Sequence, residues 1–164
     1  MLSGENNFIE VGFVSQDIQP ANINTNWEMK SGVMHWNNAG IHFTRKISVD
    51  GYVITISDMI KNNSNREISV SPYATIIRGV GDKMSSVVET GGVVYANSKL
   101  DYTNWNKLNK KSVAYSTVRG SAGFADQYWE TVFSVDANDQ TISLKKTGDV
   151  YFAQTNVAPV KIAA

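Results

Sequence analysis

Between Ile41 and Ile60 the side chains alternate with period two, and no other stretch limits the fold as much. Ile41, Phe43, Arg45, Ile47 and Val49 share one face, with His42, Thr44, Lys46 and Ser48 on the other. Tyr52, Ile54, Ile56, Asp58 and Ile60 continue the alternation after Asp50-Gly51. Successive side chains of a strand point to opposite faces, so this pattern fits a sheet with one face on a core and does not fit a helix. Asp-Gly between two alternating runs is a strong hairpin signal. Arg45 is the exception, a cation on the apolar face.

The rest of the chain reads the same way. Val, Ile, Thr and Tyr are common, and Asn/Gly turns recur at short spacing. Strands are expected at 7–14, 32–36, 41–49, 52–60, 66–78, 87–96, 115–118, 128–135, 141–146 and 150–155. Pro72 should mark a bulge or an edge. Residues 15–30 read as a surface loop, and 102–111 as a loop or short helical turn. Gly120 to Gln127 reads as a tight loop feeding the strand that begins with Tyr128 and Trp129. Many short strands joined by turns predict an all-β, antiparallel sandwich. With no repeat and no linker, residues 1–164 read as a single domain.

Composition excludes several classes. Lys+Arg and Asp+Glu are both 15, so no net charge draws the chain to nucleic acid. The absence of cysteine excludes disulfides and thiol chemistry. No segment reaches the roughly 18–20 apolar residues of a membrane span. Met1 to Glu5 has neither a basic patch nor an apolar core, so it does not read as a signal peptide.

Chemistry is hard to place. His35 and His42 fall in adjacent strands, but no Asp or Glu clusters with them, so they read as ordinary strand histidines and no metal is expected. No nucleophile elbow is present. Gly79-Val80-Gly81-Asp82 lacks the spacing of a phosphate or dinucleotide loop, and no cofactor is expected. Asn62-Asn63-Ser64 matches a glycosylation sequon but reads as a turn. Trp36 and Trp129 lie in apolar strands, where burial is the default. Trp27 and Trp105 lie in loops and are the candidate contact surface.

Several segments, in order, resemble the periplasmic domain of the YidC membrane protein insertase family. Phe8-Ile9-Glu10-Val11-Gly12-Phe13 is similar to an early strand of that domain. Trp36, Asn38, Gly40, Phe43, Arg45, Ile47, Val49 and Asp50 follow its longest motif. Tyr52 and Thr55, then Pro72-Tyr73-Ala74 and Arg78, match the next ones. Gly123-Phe124-Ala125-Asp126-Gln127-Tyr128-Trp129 looks like its "G-(W/F/I)-x-D-(K/Q)-Y-W". Val88-Glu89-Thr90-Gly91-Gly92 departs from the family pattern, which often has a histidine there.

The resemblance implies a β-supersandwich related to galactose mutarotase. It implies a place on the periplasmic side of the bacterial inner membrane, within a multi-pass parent. Partners would be Sec translocon components or nascent membrane proteins, reached through the parent, and the chain would be a truncated piece of the domain. Exposed strand edges would invite self-association. The role implied is a non-enzymatic scaffold or docking surface. Two rivals stand beside it: a carbohydrate-binding module using Trp27 and Trp105, and a mutarotase-like enzyme, for which no histidine–carboxylate pair is visible. In the motif, Asp126 would accept loop N–H groups while Tyr128 and Trp129 anchor opposite faces of a strand.

Overall fold

A computed structural model describes residues 8–21, 24–79, 90–126 and 129–164. In chain order the elements are β1 (Phe8–Val14), β2 (Glu28–Lys30), β3 (Val33–Asn38), β4 (Ile41–Asp50), β5 (Val53–Asn62), β6 (Ile68–Gly79) and β7 (Gly91–Ala96). Then come β8 (Lys99–Asn104), α1 (Trp105–Leu108), β9 (Val113–Thr117), β10 (Gly120–Asp126), β11 (Trp129–Ser134), β12 (Gln140–Thr147), β13 (Val150–Val157) and β14 (Val160–Ile162). The fold is all-β, of antiparallel sandwich class. Among the described residues no helix is long and apolar enough to cross a membrane.

Contacts divide the chain into two compact units, Met1–Gly12 with Pro72–Ala158 and Phe13–Ser71 with Pro159–Ala164. The first is a two-layer sandwich. One layer runs β6-β13-β12-β9 and the other β11-β10-β7-β8. Ile76, Ile142, Leu144, Tyr151 and Ala153 from the first layer meet Val94, Ala96, Ala122 and Phe124 from the second, with Trp105 and Leu108 of α1 in the same cluster. Each buried aliphatic or aromatic side chain here contributes about 1.5–3 kcal/mol of burial.

The second unit carries the sheet β2-β3-β4-β5. Its core gathers Phe13, Ile18, Ala21, Ile41, Phe43, Ile68 and Val70, with Trp27, Trp36, Ile60 and Ile162 packed against it. Burial in the β4–β5 hairpin is confined to its inner half and falls chiefly on β4. Ile41, Phe43 and Arg45 face the core, whereas every residue from Lys46 to Thr55 is exposed.

Local sequence chemistry explains the hairpins. Residues with positive φ occupy the two-residue connections Ser31-Gly32, Ala39-Gly40 and Asn97-Ser98, as turns matched to strand twist require. Asp50 pairs with Val53, so the turn residues are Gly51 and Tyr52, one place later than the Asp-Gly pair implies. Gly51, at φ 56°, takes the first central position, where a type II′ turn wants glycine. Asn62 is buried: its Nδ2 donates to the carbonyls of Arg66 and Ile162 and its Oδ1 accepts from Ser64. The sequon is therefore a turn, with its amide nitrogen already engaged.

Several elements differ from expectation. Gly120–Asp126 is not a loop but β10, an inner strand between β7 and β11. Its small residues reflect close packing: a Cβ on Gly123 would collide with the Thr131 carbonyl of β11. Residues 99–104 form β8 before the helical turn, and 28–30 and 160–162 are short strands set by pairing rather than by their own pattern. Pro72 falls at a break: β14 pairs with β6 up to Val70 and β13 pairs from Tyr73. Val80 to Glu89, including the glycine turn, lie outside the described residues.

Candidate functional site

Four motif residues, Arg78, Phe124, Asp126 and Trp129, come together in the first unit. Arg78, on β6 opposite Tyr151 of β13, is only 2% exposed. Its Nη2 donates to Asp126 Oδ2 at 2.5 Å, and its guanidinium lies 4.8 Å from the ring centres of both Trp105 and Trp129. Nε and Nη1 of Arg78 and Nε1 of Trp105 have no hydrogen-bond partner among the described residues. A buried guanidinium is costly unless paired, and here one carboxylate and two ring faces hold it.

Trp105 is delivered by α1. Asn104 caps that turn by accepting from Lys107 N at 2.9 Å. The ring stacks on Phe124 at 5.6 Å and tilts against Tyr151 at 4.7 Å. Tyr151 donates to Asn109 at 2.6 Å, and burial raises its phenol above the ordinary value. The two tryptophans thus exchange the roles expected of them. Trp105 is core, 4% exposed, and is not a contact surface, because β10 and β13 close over the turn that carries it. Trp129, at 38%, is not core, because among the described residues β11 is the edge strand of its layer.

Beside Trp129 lies a groove of about 200 Å³ lined by Ile9, Ile76, Phe124, Trp129 and Thr131. Small-molecule sites are usually about 300–1,000 Å³, so this one suits an apolar side chain better than a sugar. Among the described residues no acid or base lines it, and hydrophobic contact is the chemistry they offer. Ile9, Ile76 and Thr131 were invisible as site residues in the sequence, since only tertiary packing brings them to Trp129.

The second unit holds a parallel cluster. Arg45, 7% exposed, donates through Nε and Nη2 to both oxygens of Asp58, each at 2.7 Å. Its guanidinium lies 5.1 Å from the Trp27 ring and 5.8 Å from Phe43. Asp58 was not singled out in the sequence, though counting back from the hairpin turn places it opposite Arg45. Trp27 is half-buried against Phe43 at 5.3 Å rather than free.

The remaining motif residues scatter. Trp36 is half-buried, 6.4 Å from Phe13. Asp50 and Tyr52 are exposed at the hairpin tip, and Tyr73 donates to Glu10 at 2.7 Å. Tyr128 lies outside the described residues. Trp27 and Trp105 belong to different units, and Trp105 is buried, so the carbohydrate reading loses its platform. Among the described residues no three His, Cys, Asp or Glu side chains converge.

The class defined by fold and site is an all-β sandwich with one motif arginine, Arg78, buried beside an apolar groove of the first unit. The model of the YidC periplasmic domain family matches residues 2–164, and the chain belongs to that family. It is similar to the membrane protein insertase YidC of Caulobacter vibrioides, 31% identical over 137 residues, covering 77% of this chain and 21% of that protein. The YidC of Bradyrhizobium diazoefficiens is 30% identical over 141 residues, covering 80% and 23%. That of Roseobacter denitrificans is 27% identical over 158 residues, covering 80% and 26%. The chain therefore spans about a quarter of the length of these relatives.

Proposed function

We propose that the chain is a non-enzymatic scaffold and docking domain on the periplasmic side of the inner membrane, acting within a membrane protein insertase. Its two units work as one domain in this reading. The partners are translocon components or apolar segments of nascent membrane proteins, reached through the parent protein. The observation that carries the reading is the groove at Trp129, which is apolar, open at an edge strand and about the size of a side chain. Edge strands offer backbone hydrogen bonds to an added strand while neighbouring pockets take its side chains. The exposed outer half of the β4–β5 hairpin, with Val49 at 68% and Ile54 at 59%, supports self-association as a second contact.

A photo-reactive residue at Thr131 in the full-length parent tests this. Cross-links to a translocon component or a nascent membrane protein are expected, and they should vanish when Trp129→Ala opens the groove. Cross-links confined to lipid, or none in a normally folded parent, would reject the docking role.

A further inference from the structure

The sheet of the second unit brings its two histidines together. Asn37 pairs with His42 and His35 with Thr44, so His35 and His42 are diagonal neighbours across β3 and β4 on one face. Their ring centres are 5.5 Å apart, and His35 Nδ1 stands 3.5 Å from His42 Nε2. His42 Nδ1 lies 2.5 Å from Asn37 Oδ1. A carbonyl oxygen only accepts, so His42 Nδ1 carries the hydrogen and His42 Nε2 presents its lone pair toward His35.

That is how a metal-ligating histidine is prepared. A ligating imidazole uses one nitrogen for the ion and donates the other N–H to a fixed acceptor, which sets tautomer and ring orientation. Asn37 supplies that acceptor. Two nitrogens on one zinc ion, each at about 2.0–2.1 Å in tetrahedral geometry, lie about 3.3–3.4 Å apart. The separation found, 3.5 Å, is nearly that. Both side chains are half-buried on the sheet surface, where an ion from solvent can reach them without opening the core.

We propose that His35 Nδ1 and His42 Nε2 form a two-nitrogen chelate for a divalent transition-metal ion that favours imidazole, Zn(II) or Cu(II). On binding, the hydrogen of His35 shifts from Nδ1 to Nε2, and water fills the remaining positions. With two protein ligands the site is open and exchangeable, unlike a structural zinc centre with four. Charges around it leave a small positive excess, one carboxylate against two amines. Glu28, opposite His35, favours a cation but is tied to Lys30 at 3.0 Å, and Lys61, opposite His42, opposes one. Affinity therefore rests on the imidazoles and on Asn37.

Calorimetric titration of the 164-residue chain with zinc chloride tests the site. One equivalent should bind. His35→Ala and His42→Ala should each abolish that event, and Asn37→Ala should weaken it about tenfold. Circular dichroism of the metal-free variants separates lost binding from lost fold. Nitrogen NMR of the parent's histidine rings gives a reading that needs no variant: zinc should shift His35 Nδ1 and His42 Nε2. Absence of binding, binding retained in either histidine variant, or shifts at the other ring nitrogens would overturn the proposal.

Discussion

Arg45 and Arg78 are the same device built in two ways. Each is a buried strand arginine paired with one aspartate and laid on tryptophan. Arg45 makes two parallel bonds to its direct cross-strand neighbour, so the pair forms whenever the hairpin forms. Arg78 makes one bond to Asp126 and fills the rest of its surroundings with Trp105 and Trp129, leaving two donors unmatched among the described residues. Its cluster needs β6, α1, β10 and β11 together. One arginine reports local register, and the other reports assembly of a whole unit.

Of the two arginine pairs, the larger effect is expected at Asp126, equal to that expected at Trp105. Asp126→Ala strands a guanidinium whose side chain is 3% exposed, and should cost about 3–5 kcal/mol in denaturant unfolding. Asp58→Ala should cost less, about 1.5–3 kcal/mol, because the Arg45 side chain it strands is 9% exposed against 3% for Arg78, so water can reach it, while the two aspartate side chains are exposed alike, at 26% and 23%. Equal losses would erase the distinction. Replacing Arg78 and Asp126 together by Met and Leu should restore much of the Asp126→Ala loss.

Next come the two rings that hold Arg78. Trp105→Ala empties a core position and should cost about 3–5 kcal/mol. Trp129→Ala loses chiefly a ring face over Arg78, about 0.5–2 kcal/mol. A Trp129 loss as large as that of Trp105 would show the groove wall to be core.

The smallest effect is alkaline. Burial raises the phenols of Tyr151 and Tyr115, the latter with help from its bond to Asp101. The folded state then holds its phenolic protons more tightly than the unfolded chain. Stability from this source is full below the unfolded value of 10.0 and is lost as pH rises toward the folded ones. Both tyrosines lie in the first unit, so alkaline titration should loosen Trp105 before Trp27, read by fluorescence of variants with one of these tryptophans replaced. Arg78 pulls the Tyr151 value down, so replacing Arg78 by Met should raise that value further and deepen the alkaline loss of stability.

Much of the second unit could be read from its residues. Alternation and turn chemistry between Ile41 and Ile60 define the hairpin, and the turn, moved by one residue, pairs Arg45 with Asp58. The first unit was less legible. Gly120 and Gly123 carry loop-like propensity, yet they sit in a strand because neighbouring backbones approach too closely for a side chain. The adjacency of His35 and His42 was legible as two neighbouring strands, but their diagonal register and the contact with Asn37 were not.

Period-two patterning and turn residues were enough for the strand class and most strand positions, because those signals act between residues near in sequence, and the ordered motifs from Trp36 to Trp129 pointed to the family. Which tryptophan is core and which is wall, where the groove lies, and what holds Arg78 were left to the tertiary structure. Burial is decided by which distant strands come to rest on a side chain, and no local pattern records that.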